Sequence, residues 1–168
     1  MIESIPLVLT GIGIIISILY YTSVLRNANR TQQMQLETRQ GQLIMQVYHK
    51  FSTLETANAY QKFQEISEQI ETTDDLLEAW FNNSENYKFM WILSTFFEGV
   101  GVLVKENLLE VRLVAELMTG PLSEYWGLIA PYIDEVRERG NMPRMMSETE
   151  YLYNTLVKYA EKHPEIII

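Results

Sequence analysis

The sequence of 168 residues lacks cysteine altogether. This absence excludes a disulfide framework, a thiol nucleophile and a thiolate metal site. Basic residues are also few, with 13 Lys and Arg against 22 Asp and Glu and a formal net charge of −9. Because a protein that binds nucleic acid needs a basic surface to neutralise phosphates, we expect no nucleic-acid partner.

Histidine and proline are also scarce. The two histidines, His49 and His163, stand outside any Glu-x-x-His pattern, so we expect no metal site and no cofactor. No proline occurs between Pro6 and Pro121. The same region shows no alternation of apolar and polar residues of the kind that marks strands. The sequence therefore predicts an all-α chain.

The chain does contain one long apolar run without charge. Residues 5–25, IPLVLTGIGIIISILYYTSVL, hold no acidic or basic side chain. A helix of this length, at ~1.5 Å per residue, covers roughly 30 Å, the thickness of the hydrocarbon core of a bilayer. Tyr20 and Tyr21 lie near its end, where aromatic rings suit the membrane interface. The run predicts a single transmembrane helix, with the lipid bilayer as its partner.

Two other interpretations of this run are weaker. A cleaved signal peptide would start with basic residues and have a shorter apolar core, whereas residues 1–4 read MIES, with an acid and no base. A buried helix that is apolar on every side would need a much larger protein around it.

The distribution of charge predicts orientation and layout. Residues 26–50 carry four bases and one acid, while residues 51–168 carry nine bases and twenty acids. The positive-inside rule then places the N-terminus outside a cell membrane and the C-terminal part in the cytoplasm. We expect a transmembrane anchor over 1–25, a basic helical stalk over 26–50 and an acidic all-α domain over 51–168.

Small residues within the anchor offer a packing face. Gly13 and Ser17 are four residues apart, a spacing that lets two membrane helices approach closely. This pair indicates helix packing or self-association in the membrane, although a single pair also arises by chance.

A second apolar segment lies in the domain. Residues 89–104, FMWILSTFFEGVGVLV, contain one charged residue, Glu98, and Lys105 follows at once. The segment is short for a membrane span, so it predicts a buried core helix, with a second span as the alternative.

Several signals predict where helices begin and end. Residues 52–70 continue the preceding helix, and residues 72–75 suit an N-cap. Gly120-Pro121 predicts the end of one helix, and Pro131 predicts a kink in the next helix or its start. Gly140 predicts the end of that helix. Ser147 and Glu150 match a capping box.

Residues 96–139 carry a resemblance to a known family. An aromatic–Glu–x–x–Gly–x–Leu–Val run is followed by a tryptophan and an arginine, as in the uncharacterised prokaryotic family called domain of unknown function 4760. The matching residues are Phe97, Glu98, Gly101, Leu103, Val104, Trp126 and Arg137. The resemblance implies a short N-terminal membrane span joined to a helical domain, and it implies no activity.

Glu98 is the first candidate for a site. A carboxylate on an apolar helix must be paired, protonated or at an edge, because burial of an unpaired charge is unfavourable. Arg112 and Arg137 are the predicted partners, and Trp126 is an aromatic neighbour. One interpretation is a structural ion pair that orders three helices, and the other is a ligand site.

Other candidate clusters favour structural interpretations. Glu65, Glu68 and Glu71 have i, i+3 spacing and predict a solvated helix face. Gly99-Val-Gly101 lacks the third glycine and the preceding strand of a dinucleotide loop, so close helix contact is expected. The three tryptophans predict core positions, with one of them exposed at a protein contact.

These observations favour a membrane-anchored, non-enzymatic adaptor or accessory subunit of a membrane complex, with a protein partner or a homo-oligomer. The alternative is a membrane-tethered sensor that binds a small ligand near Glu98. An enzyme is not expected, because no catalytic constellation stands out.

Overall fold

The structure is a computed structural model that describes residues 4–166. In this range the chain forms six α-helices, and it forms no strand. They are α1 (Ser4–Phe51), α2 (Leu54–Ser67), α3 (Thr73–Leu77), α4 (Ser84–Lys105), α5 (Val111–Arg139) and α6 (Ser147–Ala160). A π-helical turn over Glu78–Asn82 follows α3, and a 3-10 turn over Pro164–Ile166 follows α6. The all-α prediction is confirmed.

The chain divides into two compact units between Gly41 and Gln42. The first unit is the part of α1 before this boundary. The second unit holds the end of α1 and helices α2 to α6. The predicted stalk ended at residue 50, but Ile44 is buried and Leu43 and Val47 pack on the core. Residues 42–50 therefore belong with the helical domain.

A helix break that the sequence pattern did not predict separates α1, which ends at Phe51, from α2, which begins at Leu54. Residues 52–70 do not continue α1, because the hydroxyl of Thr53 accepts the N–H of Thr56 and caps α2. Thr56 is buried and donates its own hydroxyl to the carbonyl of Lys50 at 2.9 Å. The two threonines thus satisfy backbone groups that an uninterrupted helix would have paired by itself.

The expected N-cap at residues 72–75 is present. Thr72 and Asp75 form a reciprocal capping box at the start of α3. Asn83 caps α4 by accepting the N–H groups of Glu85 and Asn86, so Ser84 is the first residue of that helix rather than its cap.

Helix α4 lies at the centre of the domain and packs against α2 and α6. Met90, Leu93 and Phe97 are completely buried on it. By length and composition both α1 and α4 are apolar enough to cross a membrane. The apolar window of α4 is 39% buried inside the protein, however, whereas that of α1 is 0% buried. The burial of α4 agrees with the prediction of a core helix.

Helix α5 runs through both prolines without ending. The predicted stop at Gly120-Pro121 is therefore wrong, and so is the predicted start at Pro131, because both prolines lie inside α5. A proline inside a helix costs about 3 kcal/mol. The fully buried residues on both sides of Pro121, Met118 and Tyr125 among them, offset this cost through packing. The predicted end at Gly140 is confirmed.

Candidate functional site

The side chain of Glu98 points to the beginning of α6. Its Oε1 atom accepts a hydrogen bond from the backbone N–H of Thr149, with an N–O distance of 3.0 Å. Thr149 is in the first turn of α6, where N–H groups have no partner within the helix and the helix dipole is positive. A carboxylate at this place both accepts a hydrogen bond and complements the dipole.

The capping box predicted at Ser147 and Glu150 is absent. Ser147 is the first helical residue, and the N-cap position belongs to Met146, which has a left-handed backbone with φ of 59° and makes no side-chain cap. Methionine offers no cap acceptor, so the cap comes from Glu98 on a different helix. Glu150 is engaged elsewhere, as described below.

The backbones of α4 and α6 approach closely beside this cap. A Cβ atom placed on Gly101 would lie 2.2 Å from the carbonyl oxygen of Glu148. Glycine is therefore required here by the close approach of backbone. Gly99 is different, because a Cβ atom there would meet nothing within 4 Å. The expectation of close helix contact is confirmed for Gly101 and is wrong for Gly99.

Arg137 on α5 holds the opposite side of the same helix start. Its Nε donates to the carbonyl of Met145 at 2.9 Å, and its two terminal nitrogens bind Glu150 at 2.7 Å and Asp134 at 3.0 Å. The Arg137 side chain is only 15% exposed. One guanidinium thus joins the loop before α6, the first turn of α6 and α5 itself.

The predicted ion pair between Glu98 and an arginine is wrong. Among the described residues, no ion pair joins Glu98 to Arg137 or to Arg112. Arg112 instead binds Glu116, one turn further along α5, and Glu110, which immediately precedes α5. All three side chains are about half exposed. Arg137 instead binds the carbonyl of Met145 and the carboxylates of Glu150 on α6 and Asp134 on α5, and its forked donors suit this set of acceptors.

Lys105 and Glu148 form a third link that the sequence pattern did not single out. The ammonium of Lys105, at the end of α4, lies 3.0 and 2.9 Å from the two carboxylate oxygens of Glu148. The hydrogen bond from Lys105 holds the pKa of Glu148 below its ordinary value. Lys105 lies four residues after Gly101 and therefore on the same face of α4, the face that contacts α6. This spacing is the sequence signal that could have predicted the contact.

The tryptophans separate into two buried and one exposed. Trp126 is 5% exposed and its ring lies 6.3 Å from that of Tyr153 on α6. Trp80 is 2% exposed, whereas Trp91 on α4 is 55% exposed and stacks on Tyr87. Two tryptophans are therefore part of the hydrophobic core. The exposure of Trp91 agrees with the expectation that one of the three tryptophans is exposed.

Leu103 is half-buried and lines a groove between α1 and α4, but the other residues that carry the family resemblance share one role in this arrangement. They pack α4 and α5 against α6 or fill the core beside that contact, through burial for Phe97 and Val104, close approach for Gly101, and hydrogen bonding for Glu98 and Arg137. Their arrangement can order a helix, and it uses the carboxylate of Glu98 for that purpose.

An open groove lies on the other side of α4. It has a volume of about 670 Å³ and is walled by α1, α4 and Glu55 of α2. Its lining is mostly apolar, and an ion pair between Lys50 and Glu55, 3.0 Å long, stands at its rim. The lining residues from α4 are Trp91, Ile92, Thr95, Phe96, Gly99, Val100 and Leu103. Glu98 is not among them.

The glutamates at 65, 68 and 71 are exposed, in agreement with a solvated face. Glu65 forms an ion pair with Lys62, and α2 ends at Ser67, so Glu71 lies beyond the helix that the spacing implied. Within residues 4–166, no group of three or more His, Asp or Glu side chains is placed to hold a metal ion.

The apolar run of α1 is exposed throughout its described side chains. The large apolar residues from Leu9 to Leu25 are between 45% and 65% exposed. The hydroxyl of Ser17 donates to the carbonyl of Gly13 at 2.8 Å, and that of Thr22 donates to Ile18 at 2.7 Å. These polar groups are therefore satisfied inside the helix. A Cβ atom on Gly13 would meet nothing within 4 Å.

Comparison with known proteins gives one match. A family described as "Domain of unknown function (DUF4760)" matches residues 7–156, which confirms the resemblance seen in the sequence. No curated protein matches the chain, and no solved structure matches it.

Proposed function

This chain belongs to the DUF4760 family, and we propose that it is a single-pass membrane protein that acts as a non-enzymatic adaptor or accessory subunit. Its N-terminus lies outside the cell membrane, and its helical domain lies in the cytoplasm. The proposal rests on one observation: the large apolar side chains of α1 between Leu9 and Leu25 are exposed on all sides of the helix. Exposed apolar surface of this extent is unfavourable in water and favourable in a bilayer.

The internal hydrogen bonds of Ser17 and Thr22 support the same location. Both hydroxyls bond carbonyl groups one turn earlier, so neither requires water. Arg26 and Arg30 follow within two turns of the apolar run and favour the cytoplasmic side.

The adaptor role is supported by how the domain uses its polar side chains. Glu98, Lys105 and Arg137 all bind groups at the start of α6, so they hold the fold together. The exposed surface of α4 around Trp91 remains for contact with another polypeptide, either a partner protein or a second copy of this chain. Exposed tryptophan at the surface is a feature of protein contacts.

Membrane integration is tested by fractionation of cells that express the full chain. We expect the protein in the membrane pellet after an alkaline carbonate wash. Ile15→Lys combined with Ile18→Lys should shift it to the supernatant, because charge in the middle of a span costs about 3 kcal/mol per residue. Ile15→Leu combined with Ile18→Leu is the matched control and should stay in the pellet. Release of the wild-type chain by carbonate would contradict the proposal.

Orientation is tested with single cysteines, since the chain has no cysteine of its own. A membrane-impermeant maleimide applied to intact cells should label a Ser4→Cys variant and leave an Asn154→Cys variant unlabelled. Labelling of Asn154→Cys in intact cells would reverse the proposed topology.

The adaptor role is tested by detergent extraction of the full chain followed by native mass measurement. We expect the chain to be recovered in an assembly with at least one other polypeptide. A chain that is monomeric and without partners at every extraction condition would contradict this role.

A further inference from the structure

The exposed face of α4 carries a stripe of residues at helical spacing. These residues recur every three or four positions, so they lie on one side of the helix. All of them are exposed, and Trp91 and Val102 are 55% and 44% exposed. We call this set the α4 stripe; it consists of Lys88, Trp91, Thr95, Gly99, Val102 and Glu106.

Two copies of the α4 stripe that run antiparallel to each other are complementary in charge, size and polarity. Lys88 and Glu106 have opposite charges at its two ends, Trp91 and Val102 are its large apolar members, and Thr95 and Gly99 are its small centre. All three pairs have their midpoint at or next to position 97. An antiparallel copy centred on that position therefore brings each residue opposite its complement.

The charges fit this arrangement in particular. Lys88 and Glu106 are separated by about five turns at ~3.6 residues per turn, so they leave the helix in nearly the same direction. Neither forms an ion pair within the described part of the chain. In a two-fold pair of α4 helices each lysine meets the other copy's glutamate, which gives two equivalent ion pairs.

The centre and the apolar members fit as well. A Cβ atom on Gly99 would meet nothing within 4 Å, and Gly99 and Thr95 line the groove that α1 walls on its other side, so an approaching helix would lie beside α1. Small residues at the crossing point let two helices come close, and a large side chain such as Trp91 then covers apolar surface on the other copy.

We propose that two copies of this chain dimerise through an antiparallel contact between their α4 stripes, with Lys88 of each copy bound to Glu106 of the other and Thr95 against Gly99. This contact lies within the helical domain and does not depend on whether α1 enters a membrane.

Charge reversal on the full chain in detergent or nanodiscs tests the proposal, with dimerisation measured by light scattering over a range of concentrations. Lys88→Glu and Glu106→Lys should each weaken dimerisation by roughly tenfold or more, because each places like charges opposite each other twice. The double variant with both changes restores opposite charges and should return close to the wild type. Glu138→Lys on the exposed part of α5 is the control and should leave dimerisation unchanged.

A cysteine experiment tests the register independently. Copies with Thr95→Cys and copies with Gly99→Cys, when mixed and oxidised, should form a mixed disulfide faster than either forms one with Asn154→Cys on α6. Circular dichroism of each variant checks that the domain is folded.

Three results would overturn the proposal. They are a wild-type chain that stays monomeric, a dimer that neither charge reversal weakens, and a dimer that survives all α4 changes but is lost in Gly13→Leu. The last would place the contact in the N-terminal helix.

Discussion

Glu98 on α4 caps Thr149 on α6, although the two residues are 51 positions apart in the sequence. The usual cap comes from the residue that precedes a helix. Here Met146 occupies that position with a left-handed backbone and offers no side-chain acceptor. The start of α6 is therefore stabilised by α4, and the helix depends on its docking.

Removal of this cap should destabilise the domain. We expect Glu98→Ala to lower the free energy of unfolding by about 1–2 kcal/mol, in the range of other cap deletions. Glu98→Gln keeps a carbonyl acceptor and should cost less. Glu138→Ala, an exposed carboxylate on α5, is the matched control and should stay within ~0.5 kcal/mol. Urea unfolding of the full chain in detergent, followed by circular dichroism, measures all three; equal losses for Glu98→Ala and Glu138→Ala would contradict the cap.

Gly101 should tolerate no side chain. Alanine there would place Cβ 2.2 Å from the carbonyl oxygen of Glu148, and backbone on both sides must then separate. We expect Gly101→Ala to lower the free energy of unfolding by about 2 kcal/mol or more. Gly127→Ala on α5 is the control, since a Cβ atom there meets nothing within 4 Å. It should be neutral or stabilise by up to about 1 kcal/mol through helix propensity. Thermal unfolding compares the two, and equal melting temperatures would argue against the close approach.

Arg137 and Arg112 should differ sharply in their effect on stability. Arg137 is largely buried and binds groups on α5, α6 and the loop between them, so Arg137→Ala should lower the free energy of unfolding by about 2–3 kcal/mol. Arg112 is half exposed and pairs within one turn, so Arg112→Ala should cost about 0.5 kcal/mol or less. Urea unfolding measures both, and a loss of similar size at the two positions would contradict the different roles.

The ion pair between Lys105 and Glu148 should make stability depend on pH. The folded-state pKa of Glu148 is below its ordinary value, chiefly because Lys105 donates a hydrogen bond to it. A lowered pKa contributes stability that is complete above the unfolded-state pKa of about 4.3 and disappears as pH falls through the folded-state value. We expect Glu148→Gln to cost about 1 kcal/mol at pH 7 and less at pH 3. In a Lys105→Met background the cost at pH 7 should shrink, and a cost that is the same at both pH values would exclude the ion pair as its source.

The hydroxyl of Thr149 is an exception to the rule that buried polar groups are paired. Thr149 is completely buried, and its Oγ1 finds no hydrogen-bond partner among residues 4–166. We expect Thr149→Val to be neutral or to raise the free energy of unfolding by about 1 kcal/mol, because it removes an unsatisfied group while it keeps the branched shape. Thr149→Ser, which keeps the hydroxyl and loses a methyl group, is the contrasting variant and should destabilise. Urea unfolding gives the comparison; a clear loss of stability in Thr149→Val would show that the hydroxyl has a partner.

The parts of the fold that depend on local sequence were predictable. Thr72 and Asp75 lie three residues apart and cap their own helix, and the apolar segment over 89–104 predicted a core helix, on which Leu93 and Phe97 are buried. In each case the groups that determine the structure are within one or two turns of each other.

The parts that depend on tertiary packing were not predictable. Pro121 reads locally as a helix stop, yet burial of α5 on both sides keeps the helix intact. Glu98 was expected to bind an arginine, and its partner is instead a backbone N–H group, which no pattern of side-chain types reveals. Which carboxylates Arg137 can reach depends on where α6 begins. Met146, with its left-handed backbone, is the residue that precedes the helix and determines that position.

The long-range cap has a consequence for the order of events in folding. A helix of 14 residues such as α6 is marginal by itself, and here a group on α4 satisfies its first turn. We therefore expect α6 to gain its stability late in folding, after α4 and α5 have formed. Substitutions at Glu98 and Arg137 should accelerate unfolding more than they slow refolding, which makes the α6 contact the element that sets how long a folded molecule lasts.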